Sequence, residues 1–333
     1  METSKQNEND QSQFTHLVRR WGGLTTDALL DPRCQHFERS EIEGFIGYRV
    51  EYDCAIVFGD PVCSSVDTLQ LAQAFQEFCK TKYKNIIYLT ASETFVKSAN
   101  QKVCKAFIEY GEEVFLDPHV NPKDRQGTHA SLVRRKMRHA QKNNVTVSEY
   151  LPYDSIMEKN IENVGIEWLN SRKGPQIHIS NVHLFDHRMG KRWFYAKKED
   201  QIIGVVVLNQ LHARKGWHMN HLMFTPDAPN GTPELLVVSV IEILKHEDCP
   251  FISFGFTPHD HLGNIHGLSS FSAWMARQSY KLANHFFHLG GHKMFWGKFH
   301  PETKPSYIAF SNPKIGWREI LALMRAMNAS ISS

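Results

Sequence analysis

The loop DAPNGT (Asp227–Thr232) lies between a strand-like run, His218–Phe224, and a long apolar helical run. Backbone amides near Asn230 and Gly231, at a helix start, can hold a phosphate or a developing oxyanion. The same residues also suit a plain turn, with Thr232 as N-cap and Pro233 at the first helical position. Lys298 stands among aromatic residues in FWGKFHPETKPSYIAF, just ahead of a late strand. A lysine held there can neutralise charge on a phosphate or an ester carbonyl, or it can lay its stem along an aromatic surface. Asp60, in GDPV after a strand end, suits a general base or a contact for a substrate amine. A turn aspartate capping the next helix looks the same. In TPHDHLGNIH, His259, Asp260, His261 and His266 place an acid within an HxH pattern, which zinc can use. No second ligand set stands out, and no metal is expected.

The strongest charge asymmetry lies in Lys123–Lys142, with seven Lys or Arg against one acid, Asp124. In SLVRRKMRHAQK, Val133, Met137 and Ala140 share one helical face, and Arg135, Arg138 and Lys142 share another. A helix anchored on one side with a basic stripe on the other fits a phosphate backbone, with Arg134 beside the stripe. A solvated helix face gives the same pattern.

These residues need elements to position them. Phe45–Phe58 alternates and reads as one or two strands. Val66–Tyr83 has helical spacing at Leu69, Ala72, Phe75 and Phe78. Asn85–Ala91 reads as a buried strand, Thr94–Tyr110 as a helix capped by Gly111, and EEVFLDP as a further strand. The order then repeats. A hairpin turns at Glu199-Asp200, a strand covers Gly216–Phe224, and a helix covers Pro233–His246. FISFGF, Leu268–Leu282 and KPSYIAFS follow as strand, helix and strand. Two α/β (α+β) units of one order suggest a duplicated acyltransferase fold of the GNAT class, with two mixed sheets flanked by helices. In such a unit a strand splays open, and the next loop and helix start bind an anion or carbonyl. The expected division is a polar tail and lead-in over residues 1–30, a first unit over 31–150 ending in the basic helix, and a second over 151–330 carrying the transfer site.

At 333 residues, 41% hydrophobic and 11% aromatic, the chain can bury a sizeable core and is not a disordered protein. A net charge of +3 is mild. No run approaches the ~20 apolar residues that span a bilayer, and no basic-then-apolar leader opens the chain. The six cysteines form no CxxC pair and read as reduced thiols of a cytoplasmic protein.

Taken in order, GDPV, GEEVFLDP, LVRRKMRHAQKN, HLMFTPDAPNGTPELL, FISFGFTP and MFWGKFHPETKPSYIAF resemble the C-terminal catalytic domain of phosphatidylglycerol lysyltransferases, the multiple peptide resistance factors. The resemblance runs over roughly Phe45–Phe310. It implies a tandem GNAT fold that takes an amino acid from a charged tRNA and esterifies it to a lipid hydroxyl, on phosphatidylglycerol or a similar membrane lipid. Fungal relatives modify a sterol. Charged tRNA and a membrane lipid are the implied partners, with aminoacyl-tRNA as co-substrate and no cofactor. The acyl-CoA signature Q/R-x-x-G-x-G/A is absent from the loop, which agrees. Carried over by motif, Arg134, Arg135, Arg138 and Lys142 face tRNA or lipid phosphate. Asp60 or Glu113 holds the amine or side chain of the amino acid. Asn230 and Gly231 line the transfer site, with Asp260 and Phe299 as further substrate contacts, and Lys298 stabilises the tetrahedral oxyanion.

The stretch TPHDHLGN departs from the family's more apolar sequence after FGF. The membrane-spanning half of bacterial members is missing from this sequence, so the expectation is a peripheral enzyme at the inner membrane face. Trp317–Met327, with Ile320, Leu321, Met324 and Met327 on one side, fits an interfacial helix or a terminal helix packed on its own domain. Rival readings are aminoacyl transfer to a peptide, protein or small molecule, an acyl-CoA-dependent N-acyltransferase, and a non-catalytic RNA-binding protein.

Overall fold

Runs of Val, Ile and aromatic residues become strands, and segments with helical spacing pack on either face of them. The computed structural model describes residues 13–151, 153–172, 182–287 and 291–328. Helix α1 (residues 13–21) and a 3-10 turn (Thr26–Leu30) come first. Strands β1 (Gln35–Arg39), β2 (Ile42–Glu51), β3 (Cys54–Phe58) and β4 (Val62–Cys63) follow. Then come α2 (Thr68–Cys79), β5 (Asn85–Ser92), α3 (Glu93–Ala99), β6 (Ala106–Leu116), α4 (Thr128–Lys142) and β7 (Val145–Tyr150). The second half holds α5 (Ser155–Ser171), β8 (Lys191–Lys198), β9 (Gln201–Leu211), β10 (Gly216–Phe224) and α6 (Thr232–His246). It continues through β11 (Phe251–Pro258), β12 (Ile265–His266), α7 (Ser270–Phe287), α8 (Gly291–Gly297), β13 (Glu302–Phe310) and α9 (Trp317–Ala326).

The α/β architecture holds, with strand, loop and helix in the same order in each half. The two expected sheets are fused into one. Its strands run β1-β2-β3-β5-β13-β6-β11-β10-β9-β8-β7, with β4 on β2 and β12 on β6. β13 makes the join. It comes from the far end of the sequence, yet it lies between β5 and β6 and pairs with both. β7 runs the other way across residue 150, pairing with β8 at the opposite edge.

The expected helix Thr94–Tyr110 divides into α3 and the start of β6, and Gly111 lies inside a strand rather than at a helix end. Ala106, Ile108 and Tyr110 are buried at alternate positions, and a strand between two partners rewards that pattern. Gly111 is needed for a close approach, since a Cβ there would stand 2.4 Å from the Phe256 ring.

Helices α4 and α6 pack together on one face of the sheet and share a core with β8 and β9. Helix α5 covers the other face of β9 and β10. Helix α9 packs on β2 and β3, burying Ala322 and Ala326 and leaving Trp317 and Leu321 exposed. No described helix is long and apolar enough to cross a membrane. All six cysteines are buried free thiols, and burial pushes Cys34, Cys54, Cys79 and Cys104 up to about 12.

Candidate active site

Helix α4 organises the first group of residues. Its inner face, Ala130, Val133, Met137 and Ala140, is buried. The loop before α6 closes on it. Gly231, not Thr232, is the N-cap of α6, with φ +98°. Both properties of glycine are used here: the left-handed backbone, and the missing side chain, since a Cβ would stand 2.0 Å from the Lys136 carbonyl oxygen. Asn230 Oδ1 accepts from Lys136 Nζ, and the Asn230 carbonyl accepts from His139 Nδ1 at 2.8 Å. DAPNGT therefore holds helix α4.

In the first turn of α6, buried Glu234 accepts from Lys298 Nζ at 2.5 Å. Lys298 Nζ also lies 3.8 Å from the Phe295 ring centroid. Burial lowers the pKa of the Lys298 ammonium, with Glu234 opposing the shift and Lys136 adding to it. The structure thus brings Asn230, Gly231 and Lys298 together, and adds Lys136, His139 and Glu234. Phe299, expected to touch substrate, is fully buried. Its ring packs against Phe295 at 5.6 Å and Trp296 at 5.8 Å, so it supports Lys298 from within the core.

Arg135, Arg138 and Lys142 are exposed on the outer face of α4 and form no ion pair among the described residues. Arg134 does not join that stripe. Its Nη1 donates to the carbonyls of Lys123 at 2.7 Å and Arg125 at 2.8 Å, and its Nη2 to Ser131 Oγ at 3.1 Å. These bonds fix the turn that leads into α4.

Asp60 and Glu113 form a second group. β3 and β5 run parallel from Cys54 and Asn85 to Phe58 and Leu89, and Asp60 sits just past that end. Its Oδ1 accepts from the Ser92 N–H at 2.9 Å. It does not cap α2, whose N-cap is Asp67. Burial raises the Asp60 pKa; the Ser92 hydrogen bonds oppose this and Glu113 adds to it. No cation pairs with Asp60 among the described residues. Tyr88 Oη, also in the field of Asp60, and Ser306 Oγ, on the residue that pairs with Ser92, are buried without hydrogen-bond partners. Glu113 accepts from Arg214, whose guanidinium lies 3.9 Å over the Phe251 ring. No hydrogen bond or ion pair among the described residues joins this group to the α4 group.

Asp260 stands apart from both, exposed, with its carbonyl accepting from Asn284 Nδ2 at 3.0 Å. His259 lies 3.8 Å from Glu112. Among the described residues no three His, Cys, Asp or Glu side chains are placed to hold a metal.

A third group was not anticipated. β10 and β11 pair in parallel only over Gly216–His218 and Phe251–Ser253, then part, each with an irregularity in the pairing on its other side. Where the pairing stops, β10 carries His218, Asn220 and His221, all beside Asp27. Burial pushes both imidazoles down to about 4, and His218 Nδ1 is buried without a partner. Asn220 Nδ2 donates to Asp27 Oδ2 at 2.8 Å. Asp27 also takes Arg19 at 3.1 Å, Asn209 at 3.0 Å and Lys191 at 2.9 Å. Burial pushes the Asp27 carboxyl up, but Lys191 and Arg19 outweigh it and hold the carboxyl well below the usual range. The available signal was the polar set in GWHMNHLMF, which breaks an otherwise apolar strand. Arg19 and Asp27 lie in the segment read as a lead-in and carried no local signal.

Comparison with known proteins agrees with this architecture. The family described as "Phosphatidylglycerol lysyltransferase, C-terminal" matches residues 23–310. A phosphatidylglycerol lysyltransferase of Staphylococcus epidermidis is 19% identical over 319 residues, covering 93% of this chain and 37% of its own length. The chain thus spans little more than a third of that curated relative. Two solved structures share the fold. One is the C-terminal domain of a lysylphosphatidylglycerol synthetase from Agrobacterium fabrum, with TM-score 0.76, 20% identity, and 96% of each chain covered. The other is L-PGS from Bacillus licheniformis, with TM-score 0.76, 15% identity, and 95% of this chain and 96% of that one covered.

Proposed function

Since the chain belongs to the phosphatidylglycerol lysyltransferase C-terminal family, we propose that it transfers an amino acid from a charged tRNA to a lipid hydroxyl. The observation that carries this reading is the double use of α4. Its outer face offers Arg135, Arg138 and Lys142, with no ion pair among the described residues, while Lys136 and His139 of the same helix hold the loop beside Lys298. A phosphate backbone lying along the stripe would bring its acylated end toward the lysine.

The step is an ester exchange. The acceptor hydroxyl oxygen bonds to the ester carbonyl carbon, and the bond to the terminal ribose oxygen of the tRNA breaks. The proton of the acceptor moves to that ribose oxygen. One ester replaces another, so positioning and electrostatics suffice. Lys298 gives one N–H to Glu234 and keeps two donors for the tetrahedral oxyanion. Asp60 is a half-buried acid with no paired cation among the described residues, and the ammonium of the amino acid supplies one and draws it to the carboxylate form. Tyr88 Oη and Ser306 Oγ, both without partners, can share that ammonium.

The test uses tRNA charged with labelled amino acids, a lipid extract and the purified chain, with label counted in the organic phase with and without RNase. RNase-sensitive label in lipid is expected. Label in peptide or in a water-soluble small molecule, with none in lipid, overturns the lipid acceptor. Label that persists after RNase overturns the donor.

A further inference from the structure

Helix α7 is held to the protein by Ser272, Met275, Arg277, Tyr280 and Asn284. Ser272 and Met275 are buried, Ser272 Oγ donates to the Ile315 carbonyl at 3.1 Å, and Tyr280 Oη donates to the His259 carbonyl at 2.6 Å. Those bonds set the rotation of the helix, so its other face is held outward. That face carries Phe271, Trp274 and Leu282, which fall on one helical stripe and are 67%, 57% and 59% exposed. The Phe271 and Trp274 rings stack on each other at 6.1 Å. Met294 on α8 is 83% exposed. Single exposed apolar residues are ordinary, but large aromatic and aliphatic residues grouped on one outward face mark an interaction surface.

The surrounding charge names the partner. Between Asp260 and Glu302 the chain contains no Asp or Glu, while Lys281, His285 and Lys293 are exposed beside the apolar residues. An aromatic-bearing apolar stripe with Lys281 and Lys293 beside it suits an anionic lipid surface, rings at the headgroup level and ammonium groups among the phosphates; the exposed acid that borders α7 is Asp260, whose carbonyl accepts from Asn284. α8, which carries Met294, ends at Gly297, next in sequence to Lys298.

We propose that α7 and the start of α8 dock this protein on an anionic bilayer and so set the Lys298 site against the headgroups. The surface rests on the lipid-acceptor reading for its purpose, but not for its existence. α9, the interfacial helix expected from sequence, commits Ala322 and Ala326 to its own core.

Flotation tests the surface directly. The full chain is mixed with vesicles of phosphatidylcholine alone, or with about a quarter phosphatidylglycerol. The chain is expected to float with the anionic vesicles and to stay at the bottom with the neutral ones. Phe271→Ser, Trp274→Ser and Leu282→Ser together should lower the floated fraction about tenfold or more. Lys281→Glu with Lys293→Glu should make residual binding collapse at moderate salt. All five positions are exposed, so the melting temperature should hold. In the transfer assay the apolar variant should lose rate on vesicles and keep it on the same lipid in detergent micelles. Equal flotation of variant and parent overturns the proposal. So does a dimer in the parent that these substitutions dissociate, which would make the face a contact between copies. A chain that floats through this face but transfers nothing leaves the surface standing and overturns the catalytic reading instead.

Discussion

The two halves open their sheets at equivalent places and fill the openings differently. In the first half β3 and β5 stay paired to Phe58 and Leu89, and the mouth holds one carboxylate, Asp60, bonded to the Ser92 amide. In the second half β10 and β11 part after His218 and Ser253, and the mouth holds His218, Asn220 and His221. The charged neighbours of each opening differ. Among the described residues Asp60 pairs with no cation, and it feels Glu113, whereas His218 and His221 lie first in the field of Asp27, with Arg214 acting against it on His218 and Lys191 on His221. The first opening thus holds an acid with no paired cation among the described residues, and the second holds two imidazoles beside an acid, Asp27, that is paired with Arg19 and Lys191. The α4 joint, with Lys298, is built onto the second.

The largest effect should come from that joint. Lys298→Ala is expected to lower turnover about 10³-fold while changing tRNA affinity little, and it also strands Glu234 in the core. Adding Glu234→Gln to Lys298→Ala separates the two consequences, because it relieves the stranded charge without restoring the ammonium. Equal losses in turnover and tRNA binding for Lys298→Ala would make the lysine a binding residue, and would dissolve the contrast between the halves.

Asp60→Asn should cost about 10²-fold in kcat/KM and leave the melting temperature equal or higher. The sign follows from its raised pKa: the charged form is disfavoured in the folded chain, so removing the charge cannot weaken the fold through that group. A variant that is fully active breaks the assignment of the first opening. One that is inactive and unstable makes Asp60 a strut for Ser92.

The second opening makes its own statement about pH. The folded-state values of His218 and His221 lie near 4, below an ordinary value of about 6.5, so the unfolded chain takes up protons first as pH falls. Their contribution is intact above pH ~6.5 and is lost progressively toward pH ~4, at about 2 kcal/mol per imidazole by pH 5, less where the two interact. Denaturant unfolding of the parent and of His218→Gln at pH 7 and 5 checks it. The variant should lose less stability on acidification, and identical slopes would show that His218 is not held neutral.

How much of this could be read beforehand follows local against non-local signals. Gly216–Phe224 and the α6 run were legible because period and composition are local. So was the amphipathic pattern of α4, with Val133 and Met137 inward and Arg135 and Arg138 outward. β6 was misread because Ala106–Tyr110 becomes a strand only when β13, from the far end of the sequence, arrives beside it. Asp27 was invisible for a related reason: its partners Lys191, Asn209 and Asn220 lie far away in sequence. Phe299 looked like a site residue because it neighbours Lys298, and proximity in sequence says nothing about which side of a wall a ring occupies.

The smallest effect, and the one that best sharpens the contrast, concerns the stripe on α4. Arg134 is committed to the Lys123 and Arg125 carbonyls, so Arg135 and Arg138 are the guanidiniums left for phosphate. Arg135→Gln with Arg138→Gln should weaken tRNA binding about tenfold near 0.1 M salt. The slope of log affinity against log salt should become shallower by about 2, close to one for each phosphate no longer neutralised. Arg134→Gln should instead leave the slope alone and lower the melting temperature, because it frees the turn before α4. An unchanged slope in the double variant would mean that the stripe is a solvated face and that tRNA is held elsewhere. The cations around Asp27 could not substitute, since Arg19 and Lys191 are buried.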